Sequence, residues 1–124
     1  MRIQEVSQIY EVTPDTLRYY EKIGLLDKVQ KDKSGKRDYQ ETDLKRLEFI
    51  KCMRSAGLSI QVLKQYIDLL SLGETSLQQR KELLIHEREE LIKKQERIQL
   101  SLDKLNHKIE NYEKLLICGR NDNI

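Results

Sequence analysis

Apolar residues in the N-terminal half of the chain recur mostly three and four positions apart, the interval that lines one face of an α-helix. Ile3, Val6, Ile9 and Tyr10 form the first such set, and a break at Glu11-Val12 separates it from a second. The second set is bounded by local signals. Thr13 offers an N-cap oxygen, Pro14 suits the first helical position, and Val12 can staple onto Leu17. Gly24 supplies a left-handed residue after the last turn, and Leu25 follows to pack back. The pattern therefore predicts two short helices joined by a tight turn. From Leu26 to Tyr39 the pattern changes, and the turn residues Asp32-Lys33-Ser34-Gly35 between two short runs predict a β-hairpin. Helical spacing returns over 41–56 with Leu44, Leu47, Phe49, Ile50, Met53 and Ala56, and Gly57 ends it. Ser59 caps a fourth helix with a Leu58–Leu63 staple and an inner stripe of Val62, Leu63, Tyr66, Ile67 and Leu70.

Gly73 closes that helix, and Thr75 with Gln78 predicts a capping box for a much longer one. No glycine or proline then intervenes until Gly119. About 43 helical residues extend roughly 65 Å, too far to pack only on a small domain of the same chain. Leu77, Leu84, Leu91, Ile98, Leu105 and Tyr112 repeat every seven residues. A second seam adds Leu102, Ile109 and Leu116, but Lys81, Arg88 and Gln95 occupy it in the first half. A lone helix would leave these leucines wet, so the heptads predict pairing with a second copy; the direction of pairing is left open by the sequence.

Helix, turn and capped helix make a helix-turn-helix pattern, in which the second helix enters the major groove of DNA. Arg18, Tyr19 and Lys22 suit base edges and phosphates, while the competing reading is a packing helix with Leu17 and Tyr20 buried and Arg18 merely solvated. The hairpin carries Lys28, Lys31, Lys33, Lys36 and Arg37 against Asp32 alone between Lys28 and Arg37. It reads as a basic wing attracted to phosphates, or as a lysine-rich ribbon kept basic to prevent edge pairing.

The 124 residues, 38% hydrophobic and 35% charged, suffice for one small domain and a coil but not for a separate ligand-binding module. Net charge is only +2, so attraction to nucleic acid must come from local clustering. No apolar run is long enough to span a membrane and no signal-peptide layout appears, so a cytoplasmic protein is expected. An enzyme is not expected. His86 and His107 sit on the coil without a converging acid or nucleophile, and there is no glycine-rich phosphate loop or metal-ligand pair on a helix.

Leu17-Arg18-Tyr19-Tyr20-Glu21-Lys22-Ile23-Gly24-Leu25, then Gly35-Lys36-Arg37-Asp38-Tyr39, then Asp43-Leu44 with Leu47, Phe49 and Ile50, resemble MerR-type transcriptional regulators. The three motifs stand in order, the long coil follows them, and the resemblance runs over nearly the whole chain. It implies a mainly α fold: a winged helix-turn-helix DNA-binding domain followed by a long antiparallel coiled-coil dimerisation helix. Arg18, Tyr19, Arg37 and Tyr39 match family residues that touch DNA, with Tyr39 and the wing gripping phosphates. Thr13, Thr16, Tyr20, Lys22 and Lys36 complete the candidate contacts, with Arg54 as a phosphate contact in a second wing. One departure is Glu11, where such regulators often carry glycine. A non-glycine residue at positive φ costs roughly 1 kcal/mol, so another turn conformation is expected there.

The expected division is a DNA-binding domain over 1–73, with the wing hairpin at 26–39 and second-wing helices at 41–71. A dimerisation helix over 75–118 and a short polar tail over 119–124 follow. The expected partners are double-stranded promoter DNA at an inverted repeat, a second copy of the chain, and RNA polymerase indirectly through the promoter. The resemblance implies that the active form bends and untwists an over-long promoter spacer.

Two cysteines, Cys52 and Cys118, are the only soft ligands, which argues against a metal or other cofactor. A soft monovalent ion held by Cys118 of both chains is the remaining metal option. The segment from Glu48 to Ser59 resembles the thiol-based, aldehyde-responsive branch of the family, where a cysteine at the position of Cys52 is the sensor. Its other reading is a small buried hydrophobe. Competing functions are the same regulator answering to a hydrophobic ligand, and a coiled-coil adaptor without specific DNA binding.

Overall fold

The computed structural model describes residues 1–119, so 120–124, nearly all of the expected polar tail, lie outside the described residues. The chain forms two compact units, Met1–Leu84 and a second beginning at Ile85. The first holds α1 (Ile3–Tyr10), α2 (Pro14–Lys22), α3 (Glu41–Ser55) and α4 (Ile60–Leu70), then a 3-10 turn at Gly73–Ser76 and the first residues of α5 (Leu77–Cys118).

One core serves the first unit. Val6 of α1, Leu17 and Tyr20 of α2, Leu47 and Ile50 of α3, and Leu63 and Ile67 of α4 converge there with Leu25, Leu26, Val29, Tyr39 and Leu58 from the connections. Full burial of a leucine such as Leu17 contributes about 1.5–3 kcal/mol, so the inner stripes hold these short helices that propensity alone would not. Gly24, at φ 84°, ends α2 under α4, and a Cβ there would stand 2.9 Å from Lys64 Nζ.

Four details depart from the sequence reading. Glu11 does take the left-handed conformation, at φ 54° and ψ 45°. The turn is held from α3, where Lys51 Nζ donates to the Tyr10 carbonyl and stands 4.0 Å from the Glu11 carboxylate. The hairpin shrinks to a single antiparallel bridge, Lys31 with Arg37. Its arms do not zip further because Leu26 and Val29 turn into the core, while the Tyr39 N–H donates to the Met1 carbonyl at 2.7 Å. Thr75 does not cap α5: its hydroxyl donates back to the Leu72 carbonyl at 3.0 Å. Ser76 organises that junction instead. Its buried hydroxyl reaches the Gly73 carbonyl at 2.8 Å and accepts from Arg80 Nε at 3.0 Å. Tyr20, counted among the DNA contacts, belongs to the core, since Tyr20 and Leu17 lie on the inward face of α2.

No side chain of α5 is buried. Ile98, Leu102, Leu105, Ile109, Tyr112 and Leu116 lie exposed along the second unit, the face expected of a coiled-coil strand. No described helix is long and apolar enough to cross a membrane.

Candidate nucleic-acid interface

The presentation of α2 begins with its cap. Thr13 Oγ1 accepts from the Thr16 N–H at 3.1 Å and lies 2.8 Å from Thr16 Oγ1, with Pro14 opening the helix. Both threonines are thus engaged at the helix start. With Leu17 and Tyr20 inward, Asp15, Arg18, Tyr19 and Lys22 are left exposed.

Beside this face lies a cleft of about 640 Å³ walled by the start of α1, by α2 and by the hairpin. Its cations are Arg2, Arg18, Lys36 and Arg37, with Glu5 as its one acid. Four positive side chains line one concavity; Arg2, Arg18 and Arg37 are each paired with an acid, Asp32, Asp15 and Glu21, so the cleft offers phosphate a cluster of oriented N–H donors rather than four uncompensated charges. Arg2 was missed by the sequence reading. Its signal is weak, a lone arginine ahead of α1, and contacts distant in the chain bring it to the hairpin: Met1 with Tyr39 and Asp38, and Arg2 itself with Asp32.

The hairpin tip is built on one carboxylate. Asp32 accepts from the Ser34 hydroxyl at 2.6 Å, the Ser34 N–H at 2.8 Å and the Lys36 N–H at 3.0 Å, and it pairs with Arg2. These donors, the Ser34 hydroxyl first, hold its carboxyl well below the usual carboxylate range. The Met1 amino group likewise lowers Asp38, which it contacts at 2.7 Å.

Arg37 is fixed from α2, its Nε donating to Glu21 Oε1 at 3.1 Å. Among the described residues the terminal nitrogens of the guanidinium have no hydrogen-bond partner and can take a further one. Tyr39 is only 3% exposed, and its hydroxyl has no hydrogen-bond partner among the described residues. Burial pushes its pKa up, against an opposing pull from Arg37. The structure therefore gathers Arg18, Lys36 and Arg37 around the cleft and puts Tyr39 in the core, not on the surface. Arg54 lines a separate recess with Glu11, Tyr20 and Lys51, and donates to the Leu58 carbonyl at 2.8 Å.

Cys52, adjoining Lys51 on α3, is exposed, and so is Cys118 at the end of α5. Within the single chain, Cys52 is therefore not a buried hydrophobe.

A capped outward helix, a basic hairpin and a following helix pair, ahead of a long solvent-facing helix, define a winged helix-turn-helix transcriptional regulator. Comparison with known proteins places it further. A sequence model described as MerR HTH family regulatory protein matches residues 1–70, and one described as MerR, DNA binding matches 44–108. The chain belongs to the MerR family of DNA-binding regulators.

Among its relatives is the HTH-type transcriptional regulator AdhR of Bacillus subtilis, 48% identical over 92 residues that span 74% of this chain and 66% of that protein. A solved structure of a MerR family transcriptional regulator from Listeria monocytogenes is 41% identical. It superposes with a TM-score of 0.86 and covers 96% of this chain and 90% of its own. HiNmlR, a MerR family regulator lacking the sensor domain and solved bound to promoter DNA, shares the fold. Its TM-score is 0.78 at 24% identity, over 95% of this chain and 94% of that one.

Proposed function

We propose that the protein is a homodimeric regulator that binds an inverted repeat within a promoter. It distorts the spacer so that RNA polymerase can engage, and it responds to reactive electrophiles such as aldehydes through Cys52. The cleft that brings Arg2, Arg18, Lys36 and Arg37 together is the observation that carries the DNA-binding part. In this reading residues 1–73 contact DNA, with Thr13, Thr16, Tyr19, Lys22 and Arg54 beside those cations. Residues 75–118 pair two chains, which suits the exposed heptad leucines of α5. Two such domains related by a twofold axis match a palindromic site in the cytoplasm's DNA.

The sensing part is supported by the exposure of Cys52 and by its sequence context. The neighbouring Lys51 contacts the turn between α1 and α2, so a change at this end of α3 has a short route to the DNA-reading helix. The chemistry is simple addition. The thiolate sulfur bonds to the carbonyl carbon, the π electrons move to oxygen, and oxygen takes a proton, giving a hemithioacetal without any oxidant.

Gel-shift titration with the promoter duplex and a transcription assay test both parts. Arg18→Ala abolishes specific binding if α2 reads DNA. Cys52→Ala keeps operator binding and loses induction by a small aldehyde, while Cys118→Ala changes neither. Induction persisting in Cys52→Ala would sink the sensor assignment alone.

A further inference from the structure

Asp15 is the residue of α2 that phosphate attraction leaves unexplained. Its side chain is 97% exposed, and it stands on the outward face of a helix that approaches a polyanion. A carboxylate there is repelled by the duplex backbone. It is nonetheless engaged, because Oδ1 accepts from Arg18 Nη1 at 2.9 Å, one turn along the helix.

A guanidinium presents five N–H donors in a rigid fork, and this contact uses only the Nη1 side. The neighbouring Nε–H and Nη2–H are parallel and have no hydrogen-bond partner among the described residues, and such a pair matches O6 and N7 of a guanine edge. Without a tether, the arginine chain has many directions available and phosphates on every side to reward them.

Resting on the reading of α2 as a DNA-reading helix, we infer that Asp15 is a specificity determinant. It holds the Arg18 fork aimed at a guanine rather than at the backbone. The carboxylate lowers affinity for any duplex by repulsion and raises discrimination among duplexes by fixing the reader. It also lies in the first turn, where an acid complements the helix dipole, and that role makes a different prediction.

The test uses the full chain as wild type, Asp15→Ala, Asp15→Asn and Arg18→Ala. Each selects from a duplex library with randomised inverted-repeat half-sites, and enriched duplexes are then titrated against a scrambled one. Wild type is expected to prefer guanine at one position of each half-site by roughly tenfold or more. Arg18→Ala loses that preference. Asp15→Ala reduces it to about threefold or less and binds scrambled duplex about twofold more tightly. Asp15→Asn, whose amide oxygen still accepts, keeps a base preference close to wild type but, having lost the charge, binds scrambled duplex about twofold more tightly, as the alanine variant does.

An unchanged base preference in Asp15→Ala overturns the inference. Overall affinity would then rise if Asp15 is a merely repulsive charge, or fall together with the melting temperature if it only supports the helix. A wild type that enriches no sequence would instead bring down the DNA-reading assignment beneath it.

Discussion

Replacing Tyr39 by phenylalanine should move stability and DNA binding in opposite directions. The ring is buried in the core and its hydroxyl has no partner among the described residues. A hydroxyl stripped of water without a compensating hydrogen bond costs about 1–3 kcal/mol. Phenylalanine keeps the ring and removes that cost, so the variant should be more stable by about 1–2 kcal/mol. For a unit of this size each kcal/mol shifts the melting temperature by roughly 4–8 °C. Circular dichroism melts at one fixed protein concentration record it, since pairing through α5 would make the midpoint depend on concentration. Operator affinity should fall. A hydroxyl donating to a phosphate contributes about 1.5–3 kcal/mol, a loss of roughly tenfold or more in Kd. Because the hydroxyl is buried, that contact requires the base of the wing at Tyr39 to shift as DNA docks, while the tip built on Asp32 keeps its shape. A melting point at or below wild type would show the hydroxyl to be satisfied in solution. Undiminished operator affinity would remove Tyr39 from the contacts.

Glu11→Gly should stabilise the first unit by about 0.5–1 kcal/mol in urea denaturation, because glycine adopts the left-handed region freely. The lost approach of Lys51, at 4.0 Å to an 85% exposed carboxylate, is worth little against that, and a net loss would refute the strain argument. Glu21→Ala removes the acceptor that fixes Arg37. The slope of log affinity against log salt should become shallower by about one phosphate contact, and an unaltered slope counts against the cleft as the docking site. Asp32 sets a pH limit on the wing. Its folded pKa lies below the unfolded value of about 3.9, so its contribution is complete above that value and is lost as pH falls through the folded one. NMR signals of the Ser34 and Lys36 amides should hold steady down to about pH 4, and a midpoint above that would contradict the hydrogen bonds drawn to Asp32.

Much of the fold was legible because its signals are local. The Thr13 cap, the Ser59 cap and the spacing of core residues in α3 and α4 all appear as the sequence implies. What escaped depends on contacts distant in the chain. Glu11 reads as an unsuitable turn residue until Lys51, forty positions later, is seen holding the turn. The hairpin reads as two strands until Leu26 and Val29 are drawn into the core and Tyr39 pairs with Met1. The junction at Thr75 matched a capping pattern, but the buried hydroxyl of Ser76, one residue on, organises it. Within the site, charge predicted Arg18, Lys36 and Arg37, whereas the burial of Tyr20 and Tyr39 followed from packing and the presence of Arg2 from chain topology.

The carboxylate at the heart of the wing tip has a kinetic and calorimetric consequence. Ser34, Lys36 and Arg2 all converge on Asp32, so the loop is ordered before any duplex arrives. A lysine-rich loop of this kind would otherwise have to freeze during encounter, with an entropy loss charged to association. Here that ordering belongs to folding, and the wing meets the groove as a preshaped tooth. Association should therefore proceed at rates set by electrostatically guided diffusion, and its heat-capacity change should scale with the surface the wing covers, without an added folding component.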